Sequence, residues 1–483
     1  MDLPSDLIFS QAFIDGRWAD SAASATYPVT NPANGDIITS VPDMGRAETA
    51  QAIAAANKAR PAWAAQTAKA RTSILRAWFE LIMAHQEELA NIVTLECGKP
   101  LAESRGEVAY GASFIEWFAE EAKRLYGEVI PSPSGNSRIV TLRQPIGVAA
   151  AITPWNFPLA MITRKCAPAL AAGCPVVVKP SEDTPLTALA LAALAHKAGL
   201  PAGTFNVVTA SRGADVGLEL CENPDVRKLS FTGSTPVGKI LMRQCADTVT
   251  KVSLELGGNA PFIVFDDADI DAAIQGALAS KYRNAGQTCV CANRFLVQSG
   301  VYDEFAEKFA DAVATFKVGN GLDDGVTQGP LINAKGLDKV EELVNDALTH
   351  GAKALCGGMA HELGGTYYKP TILTDVTPDM RIANEEIFGP VAPLYRFETE
   401  EEAVRIANDT PFGLAGYFYS RDIGRVWRVA EALEYGILGI NEGIFSTEVA
   451  PFGGVKESGI GREGGKQGIE EYTEIKYLRM GGL

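Results

Sequence analysis

From residue 146 the chain repeats one unit: a short apolar run, a turn, then a helical stretch. Gly147-Val148-Ala149-Ala150-Ala151-Ile152 ends at Thr153-Pro154, and Pro175-Val176-Val177-Val178 ends at Lys179-Pro180. Phe205-Asn206-Val207-Val208 and Lys228-Leu229-Ser230-Phe231 stop at Thr209 and at Thr232-Gly233. Strands with one wet face alternate polar and apolar residues, so continuous apolar runs closed by turns and followed by helices are read as buried parallel strands. The pattern predicts an α/β protein, with ligands at the carboxyl ends of the strands. A second alternating stretch, from about 258 to 445, predicts another α/β unit.

Residues 46–124 are Ala-rich and place Ile74, Leu75, Trp78, Phe79 and Ile82 at three- and four-residue steps, the period of a helix. The run Val129-Ile130-Pro131-Ser132-Pro133-Ser134-Gly135-Asn136 breaks that pattern, and Ser137 to Arg143 alternates as an exposed strand does, so 126–146 reads as a protruding hairpin.

Composition narrows the function classes. The 43 Lys and Arg against 59 Asp and Glu leave a formal charge of −16, with no basic run, which argues against a nucleic-acid or anionic-membrane partner. The same charge repels a small anionic substrate, so such a substrate would need arginines that reverse the field locally. The opening Met1-Asp2-Leu3-Pro4-Ser5-Asp6 is acidic where a secretory signal is basic, and Leu186 to Ala195 falls far short of a membrane span. Eight cysteines without a CxxC pair, and four histidines, suit neither a disulfide scaffold nor a zinc site. A cytoplasmic protein with reduced thiols and no metal is expected.

Two glycine patterns compete for attention. Gly459-Ile460-Gly461-Arg462-Glu463-Gly464 spells a dinucleotide fingerprint but lies too near the end for a βαβ unit. Gly233 to Ile240 nearly spells a phosphate-binding P-loop, yet Ile240 stands where a hydroxyl must hold magnesium. What survives there is a Gly233-Ser234 turn opening a helix, suited to a phosphate or present for the turn alone. Cys289, in Asn284-Ala285-Gly286-Gln287-Thr288-Cys289-Val290-Cys291, is surrounded by poor core formers and is the candidate nucleophile.

Gly286-Gln287-Thr288-Cys289, Leu254-Glu255-Leu256-Gly257-Gly258, Thr153-Pro154-Trp155-Asn156-Phe157-Pro158, Phe231-Thr232-Gly233-Ser234 and Glu385-Glu386-Ile387-Phe388-Gly389-Pro390 together resemble the NAD(P)-dependent aldehyde dehydrogenase superfamily. The motifs stand in the family's order and cover nearly the whole chain. The resemblance implies that Cys289 attacks the aldehyde, that the Asn156 amide and the Cys289 N–H hold the oxyanion, and that Glu255 activates the water that hydrolyses the thioester. On the cofactor side it implies Thr153, Trp155, Asn156, Gly233, Ser234 and Leu256 around the dinucleotide. Lys179, Ser181 and Glu182 would take the adenosine ribose, and Glu386 and Phe388 the nicotinamide ribose. The cofactor is NAD or NADP, with NAD favoured because the Glu182 carboxylate repels a 2′-phosphate, although Ser181 could help admit one.

Within the superfamily, Arg164 in Met161-Ile162-Thr163-Arg164-Lys165, Arg283, Cys289-Val290-Cys291 and Ser446 in Asn441-Glu442-Gly443-Ile444-Phe445-Ser446 resemble the succinate-semialdehyde dehydrogenase branch. That branch implies a small semialdehyde substrate whose carboxylate is anchored by Arg164, Arg283 and Ser446, in a context such as 4-aminobutyrate degradation. Glutarate semialdehyde, one methylene longer, and a broad aldehyde specificity are the alternatives. An extended CxC would put Cys289 and Cys291 on one face, and in some members of the branch this pair forms a reversible disulfide. The expected architecture is a Rossmann-type cofactor domain (1–125 and 147–257), an α/β catalytic domain (258–446), a return segment (447–469) and a β-hairpin oligomerisation element (126–146 and 470–483). The hairpin is expected to pair with a neighbour's C-terminal strand in a homo-oligomer, tetramer or dimer.

Overall fold

The apolar runs form parallel strands. In the computed structural model, which describes residues 6–482, five of them lie side by side in the order Phe205–Val207, Val176–Lys179, Val148–Ile152, Val226–Thr232 and Lys251–Glu255. Residues 1–5, with most of the acidic opening, and Leu483 lie outside the described residues. The parallel run starts in the middle, with Val148–Ile152, and steps first to one side, then to the other. The carboxyl ends of Val148–Ile152 and Val226–Thr232 therefore flank the crevice where the strand order reverses. Antiparallel pieces extend both edges: the hairpin Ala12–Ile14 and Arg17–Ala19 on one, Gly459–Ile460 on the other.

Helices cover both faces of this sheet. The helical period of 46–124 resolves into Arg46–Ala65, Ala68–Ala84, Gln86–Cys97 and Leu101–Glu121. Trp63 and Trp78 are fully buried, and each satisfies its indole N–H on a carbonyl of the packed layer, Leu170 at 3.1 Å and Leu191 at 3.2 Å. The helix Ala160–Ala172 has every residue buried, which its small side chains permit by letting neighbours approach closely.

A second sheet has Ala260–Val264 near its centre, with Ala292–Gln298, Val391–Phe397 and Thr371–Thr374 on one side and Ala415–Tyr419 and Ile437–Ile440 on the other. All six strands are parallel, and Lys353–Cys356 adds an antiparallel edge. Only residues 256–259 separate Lys251–Glu255, in the first sheet, from Ala260–Val264, in the second. The carboxyl edge of the first sheet consequently faces the amino edge of the second, and the cleft between them takes residues from both.

One expectation is corrected. The C-terminal strand Thr473–Gly481 pairs antiparallel with Ser137–Pro145 of the same chain, from Thr473 opposite Pro145 to Gly481 opposite Ser137, not with a neighbour's strand. The Ile146 N–H donates to the Tyr472 carbonyl at 3.0 Å, so the two strands enter the ladder already tied together. Among the described residues no helix is long and apolar enough to cross a membrane, and no cluster of side chains suits a metal ion.

Candidate active site

Helix Ile270–Lys281 ends just before three consecutive left-handed residues, Asn284 (φ 51°), Ala285 (φ 54°) and Gly286 (φ 76°). Two non-glycine residues in that region are held only by over-determined surroundings. The Asn284 N–H donates to Glu103 Oε2 at 2.7 Å; Gln287 Nε2 donates to the Asn284 carbonyl at 3.1 Å, while Gln287 Oε1 accepts from the Ile332 N–H at 2.9 Å. A Cβ on Gly286 would lie 2.1 Å from the Gly389 carbonyl oxygen, so glycine is required where two of the sequence motifs touch. The clamp delivers Cys289 onto a turn that the Cys291 N–H closes by donating to the Thr288 carbonyl at 2.9 Å. The segment is therefore not extended, which removes the reason for placing Cys289 and Cys291 on one face. The Cys291 thiol faces the Lys281 carbonyl at 3.5 Å.

Cys289 lies where two cavities meet. The larger, about 250 Å³, is lined by Trp155, Gly233, Ser234, Leu256, Glu386 and Phe388, all expected cofactor residues, and by Lys339. The smaller, about 30 Å³, is lined by Arg164, Arg283 and Ser446, all expected substrate residues, and by Tyr110, Phe157 and Phe452. Asn156, Thr232 and Cys289 line both. The half-buried Cys289 thiol is pushed up to about 12 by burial, an effect that the Arg164 charge opposes. One N–H of the Asn156 amide is spent on the Gln287 carbonyl at 2.9 Å, which fixes the plane of the amide beside Cys289.

The lining of the larger cavity fits the pyrophosphate and nicotinamide-ribose part of a dinucleotide. Ser234 precedes helix Thr235–Ala246 without spending its hydroxyl on the cap, so hydroxyl and helix N–H groups are both free for a phosphate. The Glu386 carboxylate accepts from the Gly258 N–H at 3.0 Å and is raised to about 7 by burial. Trp155 and Phe388 meet edge to face with centroids 5.6 Å apart, and Phe388 is left-handed (φ 56°). Thr153, Lys179, Ser181 and Glu182 do not line this cavity. They follow the ends of Val148–Ile152 and Val176–Lys179 on the same carboxyl edge, with Lys179 Nζ paired to Glu182 Oε2 at 2.9 Å.

Behind the smaller cavity lies a group of buried charges that the motifs did not reveal. Glu463 takes Arg164 Nε at 2.6 Å on one oxygen and Lys165 Nζ on the other, which holds its carboxyl down at about 2 despite burial. The Arg164 guanidinium also stacks on Phe452, 4.2 Å from the ring centroid, and its Nη2 has no partner within the protein. Arg164 is thus already ion-paired, whereas Arg283 has no carboxylate within ion-pair distance among the described residues and lies 5.4 Å from the Phe157 centroid. Glu255, 1% exposed, lines neither cavity. Burial raises its carboxyl well above the usual range, Glu463 adding to the effect and Arg164 and Lys165 opposing it, and neither oxygen has a hydrogen-bond partner within the protein. It is no solvated surface carboxylate. Glu463, Tyr110 and Phe452 escaped the sequence reading because no local pattern gives them a role; the rejected glycine motif happens to contain Glu463, and Lys165 enters only as the neighbour of Arg164.

A thiol between a cavity that opens on a helix N-terminus and a cation-lined one suits a cysteine nucleophile flanked by a phosphate-bearing group and an anionic substrate. The comparisons with known proteins agree. The aldehyde dehydrogenase family model matches residues 18–478. The succinate-semialdehyde dehydrogenase [NADP(+)] of Escherichia coli K12 is 63% identical over 477 residues, 99% of each chain. The glutarate-semialdehyde dehydrogenase of Pseudomonas aeruginosa is 61% identical, also over 99% of each chain. The crystal structure of a succinate-semialdehyde dehydrogenase from Burkholderia pseudomallei superposes with a TM-score of 0.98 at 60% identity, covering 100% of this chain and 99% of that one. The chain belongs to the aldehyde dehydrogenase family. It is an NAD(P)-dependent oxidoreductase with the aldehyde dehydrogenase fold.

Proposed function

We infer that the chain oxidises succinate semialdehyde to succinate with NAD(P). The observation that carries this reading is the small cavity leading from Cys289 to Arg283, Ser446 and the free Nη2 of Arg164, a cationic end for an aldehyde whose far end is a carboxylate. Tyr110 adds a buried hydroxyl without a protein partner to the same wall.

Cys289, its thiol proton given up to water, adds to the aldehyde carbon to form the thiohemiacetal oxyanion, which the remaining Asn156 amide N–H and the Cys289 backbone N–H take. A dinucleotide held by Ser234, Glu386 and Phe388 would supply the hydride acceptor, and loss of hydride from the adduct would leave a thioester on Cys289. Glu255, once ionised, draws a proton from water that attacks this thioester, and Cys289 departs as thiolate. The environment suits that role: burial raises the carboxyl above the usual range, which makes it a stronger base than an ordinary carboxylate once it is ionised. We place NAD ahead of NADP on the Lys179–Glu182 pair, since a 2′-phosphate would have to displace or repel the carboxylate. A cytoplasmic homo-oligomer, tetramer or dimer, completes the reading.

Reduced-nicotinamide formation with succinate semialdehyde, glutarate semialdehyde and butanal, each with NAD and NADP, tests it. The carboxylated aldehydes should dominate in kcat/KM. Arg283→Ala should cost them about 2 kcal/mol or more, roughly 30-fold, while leaving butanal almost unchanged. Equal oxidation of butanal would sink the substrate assignment. The similarity to the Pseudomonas aeruginosa enzyme makes glutarate semialdehyde the rival, and one methylene is worth only about 1–3 kcal/mol of discrimination.

A further inference from the structure

Asn156 sits in a segment, residues 153–159, with neither helix nor strand, so no ladder of backbone hydrogen bonds fixes it. Its carbonyl is nevertheless gripped. Lys99 Nζ donates to it at 2.6 Å and Asn284 Nδ2 at 3.0 Å. Lys99 also pairs with Glu107 Oε2 at 2.6 Å, both side chains being 1% exposed, and its ammonium sits 4.0 Å from the centroid of the Phe157 ring. The other oxygen of Glu107 accepts from the Leu159 N–H at 2.9 Å and the Ala160 N–H at 3.2 Å, capping the helix Ala160–Ala172 that carries Arg164.

A buried ion pair is weak evidence for stability, because desolvation offsets much of the attraction. The partners of this one are informative for another reason. Apart from each other, the Lys99 and Glu107 side chains hydrogen-bond, among the described residues, only to backbone atoms of Asn156, Leu159 and Ala160. Every bond they make thus bears on the stretch between the oxyanion amide and the start of the substrate-side helix. Resting on the oxyanion reading of Asn156 above, we propose that Lys99 and Glu107 are positioning residues for catalysis. They hold the Asn156 peptide so that its side-chain amide, oriented by the Gln287 carbonyl, meets the oxyanion in the transition state.

A double-mutant cycle tests this, with kcat, the KM for NAD and the thermal midpoint measured for each variant. Asn156→Ala should lower kcat about 10²–10³-fold, the usual loss for one oxyanion donor. Lys99→Met should lower kcat about 10–100-fold through a misplaced amide, with the KM for NAD within about twofold of the parent. Placed on top of Asn156→Ala, Lys99→Met should cost less than about a further twofold, since the group it positions is already gone. Lys99→Met leaves Glu107 buried without its cation, so Lys99→Met/Glu107→Leu, which removes both charges, is run through the same cycle. The same fold loss in both backgrounds, or a folded paired variant with parental kcat, overturns the positioning role and leaves the oxyanion reading intact. Full kcat in Asn156→Ala overturns both.

Discussion

Glu463 binds two cations where water does not reach, and its chemistry is the reverse of that of Glu255 beside it. Its carboxyl is held at about 2, below the value of about 4.5 that an unfolded glutamate has, so its contribution to stability is complete above pH 4.5 and is lost as the pH falls toward 2. Glu255 is raised instead, so ionising it costs folded-state stability as the pH rises through its shifted value. Glu463→Gln leaves Arg164 and Lys165 buried without a full counter-charge. About 3–5 kcal/mol of stability should go, visible as a lower denaturation midpoint at pH 7 and a flatter pH dependence between 4.5 and 2. Unchanged midpoints would show that the cluster is not coupled to folding. Glu255→Gln should keep a single-turnover burst of reduced nicotinamide but lose steady turnover, because acylation uses Cys289 and only deacylation needs the base. In the parent, the deacylation rate should fall as the pH drops through a value above 4.5. Loss of the burst itself would assign Glu255 to the first step.

At the scale of elements, the strand Gly459–Ile460 is short but tightly constrained. Gly459 has φ 139°, and a Cβ there would lie 1.9 Å from the Leu254 carbonyl oxygen, beside the residue that ends at Glu255. This is the physical content of a glycine run that resembles a dinucleotide fingerprint: close backbone approach to a sheet edge, with no phosphate involved. Gly459→Val should cost at least about 2 kcal/mol and shift the strand that carries Glu255, lowering both the thermal midpoint and deacylation. A variant of parental stability would mean that the edge strand can move aside. The parallel strands and the four N-terminal helices were legible because periodicity and turn residues are local signals. The partner of the C-terminal strand was not, because alternation says that a strand has an open edge and nothing about which strand fills it.

Across the whole molecule, the three-stranded sheet built on Ser137–Pro145 leaves Ile475 at 61% and Tyr477 at 58% exposure on one face of its edge strand. Exposed apolar side chains on a long edge strand invite association, and this is the surface through which the proposed homo-oligomer would form. Ile475→Asp/Tyr477→Asp should shift the mass measured by light scattering to a smaller multiple of 51.3 kDa without unfolding the protomer. An unchanged mass would place the interface elsewhere. The sequence by itself determined the α/β class, the elements and the family, and through the family the roles assigned to Cys289, Asn156 and Glu255, since these are written in short contiguous patterns. Only the tertiary structure decided that Cys289 approaches from the amino edge of one sheet while Glu255 ends a strand of the other. It alone showed that Arg164 is ion-paired with a glutamate 299 residues away and that Lys99 grips a carbonyl 57 residues on. The reason is physical: a buried charge must find its partner in space, and sequence separation places no limit on where the fold supplies it.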